Sequence, residues 1–171
     1  IWRWNRPLIG FEASGTPHLR IEHRVVPAGP TVVDAIANAA LYFGAVHSLS
    51  QDVTPPERRL PFPAAKANFY AAAREGLTAE IQWLDGRRAR LTEVLRSDLL
   101  PRARLGLTAM GVDADEADLW LGIISARLES GRTGSAWQRA FVARNGHDMQ
   151  ALTGAYLERQ ESGLPVHEWA L

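Results

Sequence analysis

The stretch His18-Leu19-Arg20-Ile21-Glu22-His23-Arg24-Val25 alternates apolar and charged side chains. Read as a β-strand, it sends Leu19, Ile21 and Val25 toward a core and His18, Arg20, Glu22 and Arg24 to the opposite side. His23 falls on the Leu19 and Ile21 side and reads as structural. Two guanidinium groups flanking a carboxylate suit a metal, a phosphate or a substrate acid. They equally suit a solvated face or a cross-strand salt-bridge ladder.

Upstream, residues 1–11 read as a partner strand, and Glu12-Ala13-Ser14-Gly15-Thr16-Pro17 supplies the small, polar and Gly/Pro residues of a turn. A β-hairpin is therefore expected, with its second strand over 18–26. The run Ile1-Trp2-Arg3-Trp4-Asn5-Arg6 enters with no polar lead-in. It reads as a cut through a strand, so the hairpin is expected to be part of a larger sheet and the chain the C-terminal portion of a larger protein.

Downstream, Pro27-Ala28-Gly29-Pro30 ends the strand, and Thr31 followed by Asp34 resembles a capping box that opens a helix over 31–49. That helix is apolar nearly all round and is expected to be buried on most sides. Its exceptions, Asp34, Asn38 and Tyr42, form one polar stripe, read either as satisfied core hydrogen bonds or as a face toward a cleft. Residues 51–63 hold four prolines and read as an extended loop. A short helix over 63–75 stops at Gly76, and 77–84 with 87–91 flank Asp85-Gly86, which predicts a small ribbon closed by a type I′ turn. Everything after Thr92 reads as helix, with Thr92 as a cap, Leu95, Leu99 and Leu105 on an apolar side, and Pro101 kinking or dividing the segment. Gly111 ends it. Asp113 or Asp115 opens a helix whose buried stripe is Leu119, Trp120, Ile123, Ile124 and Leu128. Ser135 opens the next, with Trp137 and Phe141 a turn apart. Asp148 opens the last, with Met149, Leu152 and Tyr156 facing inward, and the tail from Leu164 is apolar enough to dock. The fold class is α+β, mainly α.

Composition excludes several functions. The chain has 171 residues, 19 Lys+Arg against 19 Asp+Glu, and no cysteine. Without a net charge there is no global pull toward nucleic acid or an anionic membrane. Without cysteine there is no thiolate catalysis, no disulfide and no cysteine-liganded zinc or iron–sulfur cluster. The five histidines never fall at the i, i+4 spacing of a helical zinc site. No Gly-rich nucleotide loop and no Gly-x-Ser-x-Gly elbow is present. No signal peptide is evident, and no apolar run is read as approaching the roughly 18 residues that span a bilayer. The expectation is a cytoplasmic protein acting on small molecules, with neither nucleic acid nor membrane as partner.

The run Pro17-His18-Leu19-Arg20-Ile21-Glu22-His23-Arg24, then Pro27-Ala28-Gly29-Pro30-Thr31-Val32-Val33-Asp34 and a small-residue helix, resembles bacterial glutamate–cysteine ligases and related carboxylate-amine ligases. These have a glutamine-synthetase-like catalytic fold. Gly131-Arg132-Thr133-Gly134-Ser135-Ala136-Trp137-Gln138-Arg139 is similar to the family's Gly-Thr-Gly-like loop before a Gln-Arg pair. The resemblance implies ATP-dependent ligation, in which a γ-carboxylate is phosphorylated and an amine displaces the phosphate. It implies ATP and Mg2+ as cofactors and amino acids as substrates, and it allows a homo-oligomer. Glu22 suits the metal role, while Arg24, and with it Arg20, suits the phosphate or substrate carboxylate, because a planar fork holds such oxyanions in two contacts. Arg24 is the residue assigned to catalysis. Arg139 is the candidate ATP or substrate contact beside the Gly-rich loop. The family's other metal carboxylates lie on strands nearer the N-terminus, and no Glu-x-Glu strand exists here, so these residues alone are expected to be inactive. The alternative is a non-catalytic helical module that contacts a protein partner.

Overall fold

The structure, a computed structural model, describes residues 5–25 and 29–171. Strands β1 (Asn5–Phe11) and β2 (Pro17–His23) form an antiparallel hairpin in which Arg6 faces Glu22, Leu8 faces Arg20 and Ile9 faces Leu19. The mainly helical remainder carries a second ribbon of β3 (Glu80–Gln82) and β4 (Arg88–Arg90). The α+β, mainly α reading holds. The expected strand entry over 1–4 lies outside the described residues; the second strand, expected over 18–26, ends at His23, with Arg24 and Val25 already past it, and residues 26–28 lie outside the described residues.

Both hairpins close alike. Gly15 donates to the Glu12 carbonyl at 2.9 Å and Glu12 donates to Thr16 at 3.0 Å; Gly86 donates to Trp83 at 2.9 Å and Trp83 to Arg87 at 3.0 Å. Each turn places only its glycine at positive φ, +83° and +81°. This is a type I turn with a glycine bulge, so the expected type I′ turn at Asp85-Gly86 is corrected. A type I′ turn needs positive φ at Asp85 as well, and the bulge avoids it.

Helix α1 (Val32–Ser50) starts with the expected capping box: Asp34 N–H donates to Thr31 Oγ1 at 3.2 Å, and Thr31 N–H donates to Asp34 Oδ2 at 3.2 Å. It packs on α5 (Leu100–Ala109) and α6 (Ala114–Ser130). Small residues let α1 and α5 touch: a Cβ on Gly106 would stand 1.9 Å from the Gly44 carbonyl oxygen, and one on Gly44 2.2 Å from that of Ala103. Ala40, Ala45, Ala103 and Leu107 fill the seam, with Leu121 of α6 against them.

By length and composition α1 is the one helix among the described residues apolar enough to cross a membrane, with mean hydropathy 1.3, which corrects the reading that no stretch approaches that length. Here one side of it packs on α5 and α6, and it carries the buried Asp34. Burial on most sides is not what α1 has. Val32, Ile36, Phe43 and Val46 are exposed.

The hairpin departs from expectation in the same direction. Leu19 and Ile21 are 80 % and 65 % exposed, with Ile9 and Phe11 beside them, rather than core. The His23 end leans on the helices, where its ring stacks on Tyr42 of α1 at 4.0 Å. An alternating pattern states which side chains share a face; it does not supply the layer that covers them.

Within 51–63 the chain is not all loop: Pro56–Arg59 makes a helical turn, α2, started by proline, and α3 (Phe62–Glu75) begins just beyond it. Asp52 pins this region by accepting from Arg102 at 2.8 Å and Arg59 at 3.3 Å, while Asp98 accepts from Arg102 Nε and the Trp83 indole, both at 2.7 Å. These hydrogen bonds, the one to Asp52 first, push the Arg102 guanidinium pKa up.

Helix α4 (Leu91–Val94) begins without a side-chain cap, so Thr92 is not a cap. It runs through a π turn (Leu95–Leu99) into α5, and Leu100 N–H reaches back to the Leu95 carbonyl. The wider turn comes just before Pro101, which has no N–H to continue the ladder. The extra residue rotates α5 about its axis: Ala103, Gly106 and Leu107 are buried, and Leu105 is exposed.

Asp113 caps α6, its carboxylate accepting from the N–H groups of Asp115 and Glu116. Leu121 is buried on α6 and Leu119, expected inside, is exposed. Helix α7 (Gly134–Asn145) starts a residue earlier than read, capped by Thr133, and α8 (Met149–Glu161) is capped by Asp148, with Met149 exposed. The tail docks as expected: Trp169 is 2 % exposed between Trp137 at 5.5 Å and Tyr156 at 5.1 Å.

Candidate functional site

Among the described residues the sequence motifs fall at two places, the strand motif at the first and the other two at the second. The first is the charged side of the hairpin. Arg6, His18, Arg20 and Glu22 share it, because paired residues of an antiparallel ladder project to the same face. Glu22 Oε2 lies 2.9 Å from Arg6 Nε, and Glu22 Oε1 lies 3.9 Å from Arg24 Nε. Gly10 is essential to this surface: a Cβ there would stand 2.6 Å from His18 Nε2 and 2.9 Å from the Arg20 guanidinium, so its bare backbone lets both lie across the strand. His23 is on the opposite side and stacks on α1; on the charged side Arg6, His18 and Glu22 are half-buried and Gly10 is buried, whereas Ile9, Leu19 and Ile21 of the other side are exposed.

Glu22 and Arg20 are thus on β2 and Arg24 lies one residue past its end, with Arg6 of β1 as a fourth member that sequence reading passed over. Its signal was available in the register, since a hairpin closed at 12–16 puts residue 6 opposite residue 22. Among the described residues, no group of three or more His, Asp or Glu gathers to hold a metal. Mg2+ is usually held by one or two carboxylates together with substrate phosphates and retained waters, so Glu22 fits as a single protein ligand of such an ion. The neighbouring guanidinium groups fit the phosphate oxygens.

The second place lies among the start of α1, the end of α6 and the start of α7. Asp34 is fully buried; its carboxylate accepts from Thr31 N–H and hydroxyl, from Arg127 Nη2 and from the Val166 N–H at 3.1 Å. Arg127, 8 % exposed, also donates to Asn38 Oδ1 at 2.7 Å. Of the polar stripe on α1, Asp34 and Asn38 hold Arg127 and Tyr42 holds the hairpin. Both readings of the stripe apply to parts of it, because Asn38 and Arg127 also line a cavity of about 390 Å³ with Pro30, residues 133–135, Gln138 and Tyr156. The Pro-Thr helix start and the Gly-Thr-Gly-like loop, about 100 residues apart in sequence, are two walls of one cavity.

Gln138 is therefore in this cavity, whereas Arg139, next in sequence on α7, is exposed and is not among its walls. A helix turns 100° per residue, so adjacent side chains diverge. Arg127 and Tyr156 were not singled out from sequence as site residues, since a lone arginine or tyrosine on an apolar helix carries no spacing signal. Burial, with the Asp34 charge second, pushes the Tyr156 hydroxyl pKa up, against a hydrogen bond from Gln138. Its O–H stays a donor at neutral pH.

Compared with known proteins, the chain matches the family model of glutamate-cysteine ligase family 2 (GCS2) over residues 6–159. No curated protein matches it.

Proposed function

From the premise that this chain belongs to glutamate-cysteine ligase family 2, a family of ligases, we propose that it serves an ATP-dependent carboxylate-amine ligase forming a γ-glutamyl amide through an acyl phosphate. The observation that carries this reading is Glu22 held between Arg6 and Arg24 on the charged face of the hairpin. Phosphoryl transfer needs charge neutralisation and alignment more than covalent help. Arg24 and Arg20 bind and orient the transferring phosphate or the substrate carboxylate, with Arg24 in the ion pair with Glu22. Glu22 holds Arg6 and Arg24 in place and contributes one carboxylate to Mg2+. The metal, when bound, supplies neutralisation of the triphosphate. Arg139 stays a candidate contact to ATP from the rim of α7. Amino-acid substrates and a cytoplasmic setting, where ATP is available, complete the proposal.

The experiment is ATP turnover by the full-length protein with glutamate, an amine acceptor and Mg2+. Glu22→Gln is expected to abolish metal-dependent turnover, and Arg24→Gln to lower it by about 100-fold, in line with the loss of one preorganised donor. Melting temperatures should stay close to that of the unsubstituted protein, because exposed ion pairs contribute little stability. Retained turnover in Glu22→Gln would sink the proposal.

A further inference from the structure

We propose that the cavity among α1, α7 and α8 is a binding site for an oxyanion, either a carboxylate or a phosphate. Among the described residues its lining carries one guanidinium and no carboxylate. Arg127, nine-tenths buried, is on its wall, and the Arg127 Nε is buried without an acceptor among the described residues. Among the described residues Arg127 is also the only charged one of the lining, because Asp34 stands behind it and is already saturated by donors. Helix α7, twelve residues long, begins at this wall with Gly134 and Ser135, and a helix start offers N–H groups and a positive dipole end to an anion. Tyr156 adds a hydroxyl kept protonated by burial and by the Asp34 charge.

Gly134 keeps the space open. A Cβ at that position would meet Pro30 Cγ at 3.0 Å and Tyr156 Oη at 3.3 Å, so any larger side chain enters the cavity between them. A volume of about 390 Å³ admits a small dicarboxylate or a phosphate ester. The site stands on its own lining and does not require the hairpin to be catalytic.

The test is calorimetric titration of the full-length protein with inorganic phosphate and, separately, with glutarate, at constant ionic strength. Binding of either ion is expected in the unsubstituted protein, with an affinity at least about tenfold weaker in Gly134→Val and in Tyr156→Phe. Thermal melts of both variants check that they fold; should Gly134→Val not fold, Tyr156→Phe alone carries the test. Binding of phosphate only identifies a phosphate subsite, binding of glutarate only a carboxylate subsite, and binding of both a general oxyanion site. Gly134→Val and Tyr156→Phe leave the hairpin residues untouched, so the binding they remove is read from this cavity and not from the hairpin. Absence of binding by both ions, or binding undiminished in the folded variants, overturns the proposal.

Discussion

Asp34 unites three stretches of chain that are remote in sequence. Its carboxylate caps α1 through Thr31, pairs with Arg127 of α6 and receives the Val166 N–H of the tail. Removing it leaves a guanidinium buried without its counter-charge. Asp34→Ala should therefore cost about 3–5 kcal/mol in urea unfolding. The double replacement Asp34→Leu with Arg127→Met should recover part of that loss, since no charge then remains buried; a double variant no better than the single one would show that the pair stabilises by more than mutual neutralisation. His23 makes a second prediction at this scale. Burial holds its imidazole below the ordinary histidine value of 6.5, so below that value the unfolded chain binds more protons than the folded one. Stability should rise with pH through the window between the two values and level off above about 6.5. Thermal melts from about pH 5 to 8 should show this slope, and His23→Phe, which keeps the stack on Tyr42, should reduce it.

At the scale of elements, α1 and α5 meet backbone to backbone, because Gly44 and Gly106 leave no Cβ between them. Gly106→Ala has no flexible side chain to push aside and meets a carbonyl instead, so it should destabilise by about 1–3 kcal/mol or more by denaturant unfolding. Ala on Gly154, where a Cβ would meet nothing within 4 Å, should be neutral or stabilising. These elements also show what the sequence states and what it withholds. Caps are local chemistry, and Thr31 with Asp34, Asp113 and Asp148 could each be read from two or three residues. The π turn at Leu95–Leu99 could not, since Pro101 signals an interruption but not the extra residue that rotates Leu105 out and Leu107 in. Likewise the alternation of β2 set its two faces correctly but not the exposure of Leu19 and Ile21, which depends on the layer across from them. Of the candidate site, Arg20, Glu22 and Arg24 were legible because they recur every second residue along β2 and just past its end. Arg127 was not, because its meaning comes from Asp34, 93 positions away.

On the scale of the whole molecule, the C-terminal tail extends past the family match, which ends at residue 159, yet it completes the interior. Val166 is 1 % exposed, and Trp169 fills the space between α7 and α8 while its indole N–H donates to the Leu164 carbonyl at 2.8 Å. Arg132 reaches the His167 carbonyl at 3.2 Å, Trp137 donates to Ala170 at 3.0 Å, and Arg144 to Leu171 at 3.1 Å, so helix α7 and the residues leading into it hold the tail by its backbone. Most of these bonds are exposed and contribute modestly; the buried indole dominates. Trp169→Ala should accordingly cost about 3–5 kcal/mol, the usual range for emptying a tryptophan site. Ending the chain at Gly163 should be a milder change than the sum of its lost contacts, because eight ordered residues regain about 1–2 kcal/mol each of backbone freedom. It also removes the Val166 N–H from Asp34 and one wall of the cavity. Near-ultraviolet dichroism of the truncated chain should lose the signal of the Trp137, Tyr156 and Trp169 cluster while the helical far-ultraviolet signal persists, because α1, α5 and α6 pack without the tail. Loss of both signals together would mean instead that the tail is required for the bundle itself to form.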